Sequence, residues 1–177
     1  MMPCLLTAGL LLLLGDFVAT FGYHVPEHVF GKFHTAVHHS PRRSFVRYAI
    51  RHRQPIALID GFLSAAPYLI FIPILWPISP GGIVLGLVLA EGHVIWRHQF
   101  HPQYRTPDWL QQVCRIVGIT TPERHWRHHR DGDQAFGDIF SFYGGPAALW
   151  LTGLRGLKQW WLKRQLSNGS LEEDIGF

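Results

Sequence analysis

The distribution of polarity along the chain constrains its fold more than any other feature of the sequence. Residues 5–23, 55–76 and 83–96 are apolar, whereas residues 24–54 are rich in histidine and arginine. A run of about 20 apolar residues can cross the hydrocarbon core of a bilayer as a helix. The polar stretch could enter lipid only with a large desolvation penalty. The pattern therefore predicts an all-α integral membrane protein.

The apolar runs also predict a topology. The turn-forming segment 77–82 joins two of them into a hairpin, so we expect a helical bundle with about three transmembrane spans. All histidine-rich stretches then fall on the same side of the membrane, together with cytoplasmic or interfacial helices such as residues 140–157. The arginines in these stretches indicate that this side is cytoplasmic. Residues 1–166 are expected to form a single domain, and residues 167–177 a disordered tail.

Composition excludes several other classes of protein. The net charge is +4, but the aromatic residues lie mostly in apolar runs, so a nucleic-acid-binding surface is not expected. Anionic lipid headgroups are the simplest partner for the excess positive charge. Cys4 and Cys114 are far apart and lack metal-type spacing, which argues against a disulfide framework or a cysteine-based zinc site.

Eleven of the 12 histidines occur in three groups along the chain. These groups are His24, His28, His34, His38 and His39; His93, His98 and His101; and His125, His128 and His129. Histidines three or four positions apart share a face of a helix and can chelate one ion. Adjacent histidines diverge around the helix, so the pairs at 38–39 and 128–129 favour two neighbouring metal ions over a single one. The sequence therefore predicts a binuclear, histidine-rich site.

The candidate metal ligands are ten of these histidines. They are His24, His28, His34, His38, His39, His98, His101, His125, His128 and His129. His93 is five positions from His98, so it is expected to line the cavity or support a ligand. Asp16 and Glu91 are further candidates for orienting the imidazoles, because a carboxylate at the edge of a membrane helix is expensive without a role. His52 has no partner in helical register and is expected at the surface.

Ligand type alone leaves the metal open, because neutral imidazole binds Fe, Zn, Cu and Ni. A structural zinc site is closed by four ligands, and this chain offers many more. Two metal ions with an open coordination position would use them. The alternative is a histidine-rich membrane metal transporter, or a metal-binding protein without redox activity.

The order of the motifs resembles that of the fatty acid hydroxylase and sterol desaturase superfamily. Asp16 is followed by His24-x3-His28 and by HTAVHHS at residues 34–40. After the apolar hairpin come FHP around His101 and TPERHWRHH at residues 121–129. The resemblance covers roughly residues 16–143.

This resemblance implies a membrane-bound non-haem di-iron oxidoreductase. Two iron ions would use dioxygen to hydroxylate or desaturate a lipid, which could be a fatty acyl chain, a sterol or a carotenoid. Zinc can replace iron in a purified form. Electrons would come from an external donor of the ferredoxin or cytochrome b5 type, because the sequence contains no flavin, haem or ferredoxin motif.

Overall fold

The chain is helical throughout the part that the computed structural model describes, which comprises residues 1–31, 33–39, 44–99 and 104–173. These residues contain no strand, and one isolated bridge joins Ile119 to Phe140. The all-α prediction is therefore confirmed.

The helices are α1 Met2–Val18, α2 Val25–Phe30, α3 Phe45–His52, α4 Ile56–Leu63, α5 Ala66–Leu69, α6 Ile72–Leu75, α7 Pro80–Arg97, α8 Asp108–Val117, α9 Pro122–Asp131 and α10 Gly144–Glu173. Two π-helical segments, Ala19–His24 and His34–His38, and a 3₁₀ turn, Ser141–Tyr143, complete them.

The described residues contain fewer candidate membrane spans than the sequence predicts. The continuous helical stretch Met2–Phe30 is long and apolar enough to cross a bilayer. Ile56–Leu63 and Ala66–Leu75 are bent by 49° and would together make a second span. The third predicted span lies in α7, where Glu91, His93 and Arg97 reduce the apolar character. Three spans are therefore supported only in part.

Helices α1 and α7 pack closely because two glycines of α7 lie against α1. A Cβ atom on Gly82 would lie 2.6 Å from Cβ of Thr7, and one on Gly86 would lie 2.9 Å from Cδ2 of Leu11. Small residues four positions apart allow this kind of approach between membrane helices. Leu11 is fully buried and forms a core cluster with residues of α6 and α7. This contact fixes the position of α7, whose last turn leads into the histidine groups.

Helix α10 packs against α2. Its residues Ala147, Leu151 and Leu154 bury apolar surface against Val25 and Val29. The helix continues to Glu173, so it extends into residues 167–177, for which the sequence predicts disorder. Residues 174–177 of that tail lie outside the described residues.

Candidate metal centre

Eight histidines form two groups of four in the described part of the chain, and none of the eight is exposed. The first group is His24, His28, His39 and His128, and the second is His38, His98, His125 and His129. Within each group, the four potential ligand nitrogens all lie within 4.8 Å of one another. Residues far apart in sequence therefore converge at two adjacent places.

Helix ends and π-helical segments bring these side chains together. His24 ends the first π-helical segment and His28 follows in α2, so both extend from the end of the first helical stretch. The second π-helical segment carries His38. Such segments widen a helical turn and are frequent at functional sites.

Helix α9 supplies the histidines from the later part of the chain. Its first residue is Pro122, and the hydroxyl of Thr121 caps it by accepting the backbone N–H of Arg124 at 3.4 Å. Threonine at the cap and proline at the first helical position favour initiation of a helix at this point. His125, three and four positions before His128 and His129, then lies on the same side of the helix as both.

In the first group, two imidazole nitrogens face each other in an arrangement that favours a bound cation. Nε2 of His24 and Nε2 of His128 are 2.8 Å apart. Nδ1 of His24 lies 3.2 Å from a carboxylate oxygen of Asp138, and Nδ1 of His128 lies 2.7 Å from the carbonyl oxygen of Gln134. Because these oxygens accept hydrogen bonds, each Nδ1 carries the proton, and in neutral rings both Nε2 atoms present bare lone pairs. Two lone pairs at this distance repel each other unless a cation lies between them.

The arrangement of nitrogens in the second group also favours a bound cation, for a different reason. Nε2 of His125 lies 3.0 Å from Nε2 of His98 and 2.9 Å from Nε2 of His129. One imidazole nitrogen either donates one hydrogen bond or accepts one, so it cannot satisfy two such neighbours. His98 also donates from Nδ1 to the carbonyl oxygen of Val94 at 2.7 Å, which leaves its Nε2 bare. A shared metal ion would satisfy all three nitrogens.

The distances fit a metal bound by imidazoles. Metal–nitrogen bonds of about 2.0–2.1 Å hold two nitrogens about 2.9 Å apart when they meet at a right angle. Nε2 of His28 and Nε2 of His39 are buried and have no hydrogen-bond partner. Leaving such atoms unsatisfied costs about 1–3 kcal/mol each, and coordination would remove that cost. The residues present therefore fit the two-metal group that the sequence predicts.

The two groups are close neighbours. His38 and His39 are adjacent in the chain, yet each lies in a different group, as do His128 and His129. The rings of His39 and His129 stack across the boundary with centroids 4.8 Å apart. Two ions bound here would therefore be close to each other.

Burial keeps these imidazoles in the form that binds metals. Loss of solvent lowers the pKa of His38 and His125 well below its usual range, and neighbouring imidazoles lower it further. Burial and nearby His39 lower the pKa of His129 to about 3. Neutral imidazole is the ligand form, so these three histidines remain able to bind a metal at neutral pH.

A buried polar network holds His24 in place. Asp138 accepts from Nδ1 of His24, and its Oδ1 also lies 3.0 Å from Nη1 of Arg97. Burial alone would raise the pKa of Asp138, but Arg97 and His24 outweigh it and hold the pKa well below its usual range. Asp16 in turn accepts the backbone N–H of Asp138 at 3.1 Å and that of Phe140 at 2.6 Å.

The remaining predicted residues have different surroundings. His34 is buried beside His24 and His28, with ring centroids 4.7 and 5.2 Å away, but it belongs to neither group of four, and neither of its ring nitrogens has a partner. His101 lies outside the described residues. His93 places Nε2 2.8 Å from the carbonyl oxygen of Thr120, and a supporting role for it stays a prediction.

Among the described residues, the two carboxylates that the sequence nominated have no hydrogen bond or ion pair with an imidazole. Asp16 binds backbone N–H groups, because the loop after α9 brings residues 138 and 140 onto α1. Glu91 is exposed on α7 and lines a cavity instead. Arg97 and the carbonyl groups of Val94 and Gln134 were missed by sequence reasoning. The signal available for Arg97 was a charge in an apolar helix, directly before His98.

A cavity of about 190 Å³ opens onto the histidines. Its apolar wall comes from α3, α5 and α7, and its polar end from the network described above. The apolar residues include Phe45, Leu69, Leu87, Ala90 and Val94, and the polar end includes His24, His34, His38, Arg97 and Asp138. An apolar molecule in this cavity would lie against the candidate metal centre.

One family model matches most of the chain. The model described as fatty acid hydroxylase matches residues 9–144, more than three quarters of the 177 residues. The matched region includes all eight histidines of the two groups. No curated protein and no solved structure matches the chain.

Proposed function

The chain belongs to the fatty acid hydroxylase family, and from this premise we propose that it is a membrane-bound di-iron oxygenase that hydroxylates or desaturates a lipid. The family is membrane-associated and implies lipid hydroxylase or desaturase activity. The observation that carries the proposal is the pair of four-histidine groups beside an apolar cavity.

Iron is the metal that best fits this chemistry. The imidazole ligands accept several transition metals, but oxidation of a lipid C–H bond needs a redox-active ion, and zinc has no redox chemistry. When bound, an iron pair would activate dioxygen and remove hydrogen from the lipid, with electrons from an external ferredoxin or cytochrome b5. Zinc in a purified sample would then mark occupancy of the same ligands by an inactive ion.

The residues that line the cavity would position the substrate. The apolar wall at Leu69, Leu87 and Val94 would hold an acyl, sterol or carotenoid chain, since burial of each methylene contributes about 0.8 kcal/mol. His24 and His38 line the other end of the cavity, so a lipid carbon there faces both groups. Asp138 orients the ring of His24 so that its Nε2 faces His128, another member of the first group.

We infer a multi-pass topology with α7 as the third span. Apolar side chains of α7 are exposed, including Val84 at 59% and Val88 at 63%, and exposed apolar surface of this kind favours contact with lipid. The arginines of α3 follow the first span and precede the second, and by the positive-inside rule they support a cytoplasmic location for that end of the bundle and for the histidine groups.

The proposal is tested by loading the purified protein with iron and supplying lipid, reductant and dioxygen. We expect about two iron ions per chain, and a lipid product that gains an oxygen atom or loses a pair of hydrogens in mass spectrometry. The variant His128→Ala should lose product, whereas His52→Ala should retain it, because His52 is exposed and contacts the ring of Tyr48 away from the two groups. An iron-loaded wild type that leaves every supplied lipid unchanged would contradict the proposal.

The same preparation distinguishes the transporter alternative. Transport needs ligands near the middle of the bilayer, at broken spanning helices. His24 and His28 instead lie near the end of the first candidate span, and His125 lies on the polar helix α9. Metal flux into proteoliposomes without lipid oxidation would favour transport.

A further inference from the structure

Helix α8 has an apolar face that the protein does not cover. Trp109, Val113, Ile116 and Val117 follow the spacing of one helical face, and all four are exposed. Ile116 is 77% exposed and Trp109 is 68% exposed. Phe142 packs against Gly118 and extends this surface past the end of the helix. A short helix with this pattern is suited to lie in the membrane–water interface.

The opposite face of α8 lines a polar cavity of about 490 Å³. Helix α9 forms another wall of the cavity, with the side chains that point away from the histidine groups. The cationic residues around it are Arg115, Arg124 and Arg127, and its neutral polar residues include Gln111, Gln112 and Thr121. This cavity lies apart from the one that opens onto the candidate metal centre, because the two share no lining residue.

Hydrogen-bond donors in this cavity exceed the acceptors that could satisfy them. Glu123 lines it, but its two oxygens already accept the backbone N–H and the hydroxyl of Thr106 at 2.6 and 3.0 Å. Arg124 donates from Nη2 to the carbonyl oxygen of Ser141 at 3.1 Å, while its Nε is buried without a partner. Within the described part of the chain, Arg115 and Arg127 form no ion pair. Two carboxylates, Asp108 and Glu123, stand against the three arginines, so the cations are in excess.

We propose that this cavity binds the phosphate of an anionic phospholipid whose acyl chains lie along the apolar face of α8. The arginines supply charge-assisted hydrogen bonds to the phosphate. The stripe of Trp109 and Ile116 on the other face of α8 provides the apolar contact that a free phosphate ion would not use. Both halves of an amphiphile are therefore matched by the two faces of one helix. This site is separate from the substrate cavity and does not depend on the proposed oxygenase activity.

The test compares lipid retention by the purified full-length chain in neutral detergent. Phosphatidylglycerol and phosphatidylcholine are supplied in equal amounts, and native mass spectrometry counts the molecules retained. We expect the wild type to retain one phosphatidylglycerol in preference to phosphatidylcholine. The double variant Arg115→Gln/Arg127→Gln should bind it about 30-fold more weakly, since each surface arginine contributes about a fivefold factor.

A matched double variant controls for the loss of charge. Arg47→Gln/Arg51→Gln removes two exposed arginines of α3 that do not line the cavity, and it should retain the lipid like the wild type. Ile116→Ser should weaken retention while leaving all three arginines in place.

Three outcomes would overturn the proposal. Equal retention by both double variants would show that the cavity arginines do not select the lipid. Complete displacement by inorganic phosphate, with no effect of Ile116→Ser, would identify a site for a free anion. Absence of retained phospholipid, together with salt-sensitive binding of an acidic electron-donor protein that needs Arg115 and Arg127, would identify a protein-docking surface instead.

Discussion

Asp138 lies with Oδ1 3.2 Å from Nδ1 of His24, which connects the loop after α9 to the end of the first helical stretch. The contact determines which nitrogen of His24 can bind a metal. A proton held on Nδ1 by the carboxylate leaves Nε2 free, and Nε2 is the atom that faces His128. The loop containing Asp138 therefore acts on the first histidine group through the orientation and tautomer of one ring.

Asp138→Asn should weaken metal binding. The neutral amide is a poorer acceptor for the Nδ1–H of His24 and does not neutralise Arg97, so the ring is less firmly oriented. Loss of such a supporting hydrogen bond typically lowers metal affinity about 10–100-fold. Competition with a chromophoric chelator measures the affinity directly. Asp133→Asn is the control, since Asp133 is exposed and pairs with Arg155; equal losses in both variants would contradict a specific role for Asp138.

The two histidine groups should lose their ions separately. His128→Ala removes a ligand of the first group and His125→Ala removes one of the second, so each variant should retain about one metal ion per chain while the wild type binds two. Metal content after desalting measures this stoichiometry. His52→Ala should bind as the wild type does. If either single variant lost both ions, or neither lost any, the assignment of two separate four-histidine groups would be wrong.

Local features of this site could be predicted from the sequence because they depend on helical register. Histidines four apart, such as His24 and His28, lie on one face in any helix. Adjacent histidines, such as His38 and His39, diverge in any helix, and the structure places these two in different groups. The family resemblance, carried by the order of the motifs, was confirmed by the family model.

The remaining features depend on contacts between distant parts of the chain. Nothing near Asp16 in sequence indicates that it holds the backbone of Asp138 and Phe140 in place of an imidazole. The π-helical segments are also invisible to a pattern based on regular α-helices, so the position of His34 outside both groups was not predicted. Two of the three predicted spans have candidates among the described residues, whereas the third stays a prediction, because Arg97 and other polar residues lower the apolar character of α7.

The size of the cavity should respond in opposite directions to changes at Tyr68 and Gly15. The ring of Tyr68 lines the cavity and packs directly on Gly15 of α1, where a Cβ atom would overlap it. Tyr68→Ala should therefore enlarge the cavity and favour longer or bulkier lipids. Gly15→Ala should push the ring inward and favour shorter ones. The products formed from a series of lipids of graded chain length, analysed by mass spectrometry, measure the preference.

A glycine on the same helix provides the control for this experiment. A Cβ atom on Gly9 would meet nothing within 4 Å, so Gly9→Ala should leave the lipid preference unchanged. The same change should stabilise the helix by up to about 1 kcal/mol. An unchanged preference in both the Tyr68 and Gly15 variants, with activity retained, would show that another part of the wall limits the substrate.

The surface pair between Asp133 and Arg155 should make stability depend on pH. Nη1 and Nη2 of Arg155 each donate to one carboxylate oxygen of Asp133 at 2.7 Å, and this hydrogen bonding lowers the pKa of Asp133 below its ordinary value. A lowered pKa in the folded state means that the pair contributes above the ordinary aspartate pKa of about 3.9 and that its contribution disappears as the pH falls through the lowered value. Because both groups are largely exposed and screened by solvent, Asp133→Asn should lower the free energy of unfolding by only about 0.5–1 kcal/mol at neutral pH.

Denaturant unfolding of the metal-free protein at several pH values measures the difference, which should vanish under strongly acidic conditions. Asp131→Asn is the matched control, since its carboxylate lies 3.8 Å from Nε of Arg130, and it should have a smaller effect. A constant effect of Asp133→Asn at every pH would mean that the side chain contributes through its shape and not through its charge.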